Sequence, residues 1–110
     1  MYLPAPDESL WIGVVRLVVH IPRSLSLKDR RRVVQSLVQR IQVRHHAAAA
    51  EVGHLENAGA AVIAATVVSN DARIAKARLD AIRVEAEKGG DHWLAEVTTW
   101  LEKKGEHGAS

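Results

Sequence analysis

Residues 10–37 read LWIGVVRLVVHIPRSLSLKDRRRVVQSL, and the change of period within them decides the fold. From Leu10 to Ile21 the residues alternate by two. Trp11, Val15, Leu17, Val19 and Ile21 make one continuous apolar face. Ile12, Val14, Arg16, Val18 and His20 make a mixed one. This is the pattern of a strand buried on at least one side. Pro22 stops it. From Ser26 the period becomes helical: Leu27, Val34, Leu37, Val38 and Ile41 fall on one stripe at spacings of three, four and seven. Ser26, followed three residues later by Asp29, is a capping-box-like start. Yet Lys28, Arg30, Arg31 and Arg32 crowd the first turns, where the macrodipole is already positive and each exposed cation costs about 0.3–1 kcal/mol. A local rule broken without local gain marks a place to look for function.

The outer face of this helix carries Lys28, Arg31, Arg32, Gln35, Gln39 and Gln42. It is basic at its start, amide-rich further on, and has no carboxylate. Arg30 lies toward the apolar stripe, so its stem can pack while its head reaches water. The helix is expected to end near Arg44. The four alanines of residues 47–50 favour helix on propensity, but the apolar stripe would then pass weakly through His45, Ala48 and Val52. A short strand ending at Val52-Gly53 is the alternative. Residues 54–59 read as a turn with Asn57 and Gly59 as breakers. Ala60–Val68 is a strand apolar on both faces. Ser69, Asn70 and Asp71 offer caps for a second helix that runs to about Lys88 and stops at Gly89-Gly90. Ala75, Leu79, Ile82 and Ala86 form its principal row, with Ile74, Ala77, Ala81 and Val84 beside it. Trp93–Leu101 alternates less cleanly: Leu94, Thr98 and Trp100 are compatible with a last strand, though Ala95, Glu96 and Leu101 would also suit a short helix.

With the strand alternative at residues 47–53, the order is strand, helix, strand, strand, helix, strand. That order specifies an α+β, ferredoxin-like split βαβ fold: a four-stranded antiparallel sheet with two helices on one face. The 110 residues fit one domain over residues 10–102, between flexible tails at 1–9 and 103–110. There is no cysteine, so disulfide and thiol chemistry are excluded and a cytoplasmic location fits. No apolar run is long enough to span a bilayer, and the N-terminus does not read as a signal peptide.

The segment Gly13–Val34, centred on Ser-Leu-Lys-Asp-Arg-Arg-Arg-Val-Val, resembles the YlxP-like family of small bacterial proteins. Ala50-Glu51-Val52-Gly53-His54 and Val67-Val68-Ser69-Asn70-Asp71-Ala72 fit the same family in the same order. The resemblance covers about residues 11–101. It implies a ferredoxin-like fold and a strand for the alanine run. It implies no activity, because the family is a domain of unknown function. Its genes often lie beside those for translation initiation and ribosome maturation factors, which implies a link to ribosome assembly or RNA by association. The sequence departs from the family at Leu55-Glu-Asn-Ala-Gly59, where members usually carry a polar stretch with a Trp. It departs again at His45-His46, where an aromatic residue is common.

The net charge of +2 conceals an asymmetry, +5 over residues 1–50 and −3 over residues 51–110. In the split βαβ plan Arg23, Lys28, Arg30, Arg31, Arg32, His54, Lys88 and His92 are expected at one end of the sheet. Forked guanidinium donors beside a helix start suit phosphate oxygens. The leading expectation is a non-enzymatic domain that binds RNA or a ribosomal particle through this edge. His20 and His54 could approach each other in the fold, but no third ligand and no metal-binding spacing is evident, so no cofactor, metal or membrane partner is expected and no small-molecule substrate is identified. The alternative is a homo-oligomeric interaction module, a dimer favoured, because an apolar open sheet face needs covering. A remoter one is a phosphate-handling enzyme of acylphosphatase type, though the loop His20-Ile-Pro-Arg-Ser-Leu-Ser lacks a glycine for close backbone approach. The central strands offer the open face no aromatic residue, which argues against base stacking there. Trp11, Trp93 and Trp100 could pack on that open face or in the core, and at least one of them is expected in the core.

Overall fold

The computed structural model describes residues 3–55 and 59–105. Its elements are β1 (Leu10–His20), α1 (Leu27–His45), β2 (Ala48–Leu55), β3 (Ala60–Ser69), α2 (Ala72–Glu87) and β4 (Trp93–Lys104). The strands form one antiparallel sheet in the order β2-β3-β1-β4, the ferredoxin-like arrangement. Both helices pack on one face. β1 is therefore central, paired through Leu17 with Ile63 of β3 and Val97 of β4.

The core lies between this face and the helices. Val15, Leu17, Val19 and Ile21 of β1 meet Ala61, Ile63, Ala65 and Val67 of β3 beneath Leu37 and Ile41 of α1 and Ala75, Leu79, Ile82 and Ala86 of α2. Trp11 packs half-buried at its margin. The expected second row of α2 is exposed: Ile74 and Val84 face solvent, and so do Ala77 and Ala81. Leu27 is exposed too, although its spacing places it on the α1 stripe.

The alanine run is a strand. His46 takes a left-handed conformation (φ 48°, ψ 43°) and ends α1 before the alanines. Ala49 then packs against the core and pairs with Ala65. Ladder bonds and burial thus override a helix preference of a few tenths of a kcal/mol per residue, about the size the alanines contribute. Two expected boundaries move. β2 takes in His54 and Leu55, and the rest of the expected turn, residues 56–58, lies outside the described residues. β4 runs on to Lys104, so Lys103 and Lys104 belong to the sheet rather than to a C-terminal tail, because they complete pairing with Trp11 and Leu10. At the other end Glu8 donates its N–H to the Ala5 carbonyl and accepts from the Ala5 N–H, which closes a turn ahead of β1.

Gly13 sits under α2. A Cβ there would lie 2.9 Å from Leu79 Cδ1 and 3.2 Å from Val67 Cγ2. The missing side chain lets Leu79, itself buried, seat directly on β1. Gly13→Ala is expected to lower stability by about 1–3 kcal/mol, the usual cost of overpacking. An unchanged urea midpoint would show that Leu79 yields without strain.

Candidate nucleic-acid interface

The position of α1 is set from its far end. Glu85 of α2 is only 2% exposed. Its carboxylate accepts from His45 Nε2 at 3.0 Å and Arg44 Nη1 at 3.3 Å, and lies 3.9 Å from Arg40 Nε. Burial pushes this carboxyl up. The His45 hydrogen bond and the charges of Arg44, Lys88 and Arg40 outweigh that and hold it below its ordinary value. Arg78 adds a second tie. Its guanidinium donates to the carbonyls of His45, His46 and Val68 at 3.1–3.3 Å. Carbonyls that the end of α1 leaves unpaired thereby gain a charged donor.

These ties offset the two helices. Arg40 donates to the Lys88 carbonyl, the C-cap of α2, at 3.2 Å. α2 therefore ends opposite Arg40, and beyond it only the loop Gly89–His92 lies beside α1. The first turns of α1 have no helical neighbour, which is why Leu27 stays exposed. Ser26 caps them by accepting from the Asp29 N–H at 3.1 Å. The reciprocal bond of a full capping box is replaced by an Asp29–Arg32 contact at 3.9 Å.

The structure brings some of the expected basic residues together and separates others. Lys28, Arg31 and Arg32 are exposed and line, with Leu27 and Gln35, an open depression of about 490 Å³. Arg30 is half-buried, its Nε shielded from water without a hydrogen-bond partner. Arg23 is exposed next to Gly59, where an added Cβ would meet its side chain at 3.4 Å. Lys88 does not join them. Its charge acts on Glu85, because the helix offset sets it opposite Arg40. His54 is exposed at the end of β2 and lines neither groove. It pairs with Ala61 and His20 with Ala60, so the two histidines lie on opposite faces of the sheet rather than together.

A second groove, of about 370 Å³, runs between α1 and the loop, lined by Asp29, Arg32, Ser36, Arg40, Asp91 and His92 among others. Its charges are mixed. His92 is buried and its Nε2 donates to the Ala86 carbonyl at 2.8 Å, so it closes the end of α2. Gly89 makes room for it: φ is +134°, and a Cβ would fall 2.5 Å from His92 Cε1. Among the described residues no three His, Asp or Glu side chains gather as a metal site. No helix there is long and apolar enough to cross a membrane.

Sequence reasoning missed Glu85 and left open where the tryptophans pack. Glu85 was detectable, since it stands three residues after Ile82 and directly before Ala86 and so falls at the edge of the buried row. Trp93, stacked on His20 with centroids 5.3 Å apart, and Trp100, beside Val14, both reach the open sheet face from β4. They are 55% and 51% exposed, so aromatics do reach this face, from the edge strand and not from the central ones.

Taken together, the fold and its basic end define a small ferredoxin-like domain with a cationic helix start. Residues 12–100 match the family described as protein of unknown function (DUF503), and the chain belongs to that family. No curated protein matches it.

Glu85→Gln is expected to cost about 1–3 kcal/mol at neutral pH, the penalty of leaving buried partners unsatisfied. The sign with pH follows from the lowered carboxyl. Its contribution is full above the ordinary value of 4.5 and is lost as pH falls through the lower folded-state value. Urea unfolding of both proteins across an acid series should show the difference shrinking below about pH 4.5. A difference independent of pH would contradict this account.

Proposed function

We propose that the start of α1 binds the phosphate backbone of structured RNA, free or within a ribosomal particle. The contact is non-enzymatic, independent of sequence, and made in the cytoplasm. Within its family the chain stands with the YlxP-like proteins. One observation carries the reading: ion pairing uses up the cations of residues 1–50 everywhere except at this end. Arg16 faces Glu96 at 3.8 Å, and Arg40 and Arg44 share Glu85. Arg32 has a long contact with Asp29. Arg23, Lys28 and Arg31 have no carboxylate partner among the described residues. Lys28 and Arg31 sit in the first turns of α1, where the helix dipole already repels them, and Arg23 lies in the loop just ahead of that helix, so an external anion relieves both costs. Exposed guanidinium and ammonium groups lining an open depression suit the phosphates of an A-form helix, where contact is to shape and backbone.

Replacing Arg31 and Arg32 together by Glu should weaken binding to a structured RNA, and co-sedimentation with ribosomal particles, by roughly tenfold to a hundredfold at low salt. The thermal midpoint should hardly move. Lys76→Glu, a charge reversal on the exposed side of α2, should leave binding nearly unchanged. Equal losses from both variants, or none from the first, would reject the proposal.

A further inference from the structure

β4 is an edge strand of 12 residues, paired on one side with β1 and on the other with no strand among the described residues. Edge strands are ordinarily protected by shortness, bulges, proline or charge. The opposite edge, β2, has such protection. It has 8 residues, a bulge between Glu51 and Gly53, and a side-chain bond from Gln42 to the Ala49 carbonyl. β4 has little. Its one irregularity lies near its start, opposite Val18/Val19. From Val97 to Leu101 it reads Val-Thr-Thr-Trp-Leu, with neither charge nor proline, and every one of these residues is exposed. Three of them are large apolar residues, on both faces of the strand: Val97 and Leu101 on one, Trp100 on the other.

We infer that the occupant of this edge is a second copy of the chain, joined β4 to β4 in antiparallel pairing about Trp100. Charge complementarity selects both partner and register. A two-fold axis perpendicular to the sheet keeps each residue on its own face, so paired positions must share parity. Pairing about Thr99 sets Glu96 opposite the partner's Glu102, twice per dimer. Pairing about Thr98 or Leu101 brings no opposite charges into register. Pairing about Trp100 sets Glu96 opposite the partner's Lys104, again twice, with Thr98 opposite the partner's Glu102. Opposed like charges destabilise a strand pair and opposed unlike charges stabilise it. In this register the two Trp100 rings meet at the axis and the sheet becomes continuous with eight strands. Both pairs of helices lie on one face. The two basic α1 starts point to opposite ends, so RNA binding and dimerisation do not compete.

The absence of cysteine makes the register directly readable. The intact protein should give a light-scattering mass twice its 12.0 kDa. Thr98→Cys and Glu102→Cys, mixed and mildly oxidised, should form a covalent dimer. Each alone should not, because in this register like positions lie about 13 Å apart, beyond the reach of a disulfide. A monomeric mass at high micromolar concentration would overturn the inference. A dimer that fails to cross-link in the mixture, with each variant still folded by circular dichroism, would overturn it equally.

Discussion

A single buried carboxylate organises this molecule. Glu85 has lost nearly all contact with water, and a lone charge in that position would be strongly unfavourable. It is retained because three cationic or hydrogen-bonding side chains from one helix, Arg40, Arg44 and His45, converge on it. Those three occupy the last turns of α1 and Glu85 the last turn of α2, so satisfying the charge sets how far the helices slide past each other. Arg78 ties the same region a second time through the final carbonyls of α1. The slide leaves the first turns of α1 beyond the end of α2.

That offset also distributes charge. Had α2 continued alongside α1, its own carboxylates would stand near Lys28 and Arg31. Instead the loop with Gly89 and Gly90 takes its place, and only Asp29 and Asp91 line the groove nearby. The same acidic residue that neutralises the C-terminal half of α1 is therefore, by its position, unavailable to the N-terminal half. The cationic start is unfavourable for an isolated helix. It persists here because Ser26 caps the turn and the far end of the helix is firmly held.

The sheet is similarly unequal on its two sides. The helix-bearing face is packed almost entirely with Val, Leu, Ile and Ala, and Gly13 lets Leu79 approach closely. Among the described residues the other face has only Val18, Ala60 and Val62 buried, with two half-exposed tryptophans on β4. Its edges differ as well, one short and bulged, the other long and almost unbroken. This asymmetry leaves the long β4 edge and the open face as the least covered parts of the sheet.

The succession and type of four of the six elements, β1, α1, β3 and α2, were legible from local pattern. Alternation by two exposed β1 and β3, and the stripes Val34, Leu37, Ile41 and Ala75, Leu79, Ile82, Ala86 exposed the inward faces of the helices. Periodicity also placed Arg31 and Arg32 outward and Arg30 partly inward. These properties follow from backbone geometry within a few residues, so the sequence by itself determined them. Local pattern could not decide between helix and strand for the alanines, because the deciding bonds come from β3. Nor could it exclude Leu27 from the core, assign Lys88 to Glu85, or part His20 from His54. Each depends on where a distant element ends: the offset of two helices, a bulge in β2, the register of β4. Only the tertiary structure decides these, because a charge or an apolar side chain settles according to the neighbours it meets, and those neighbours lie far away in the chain.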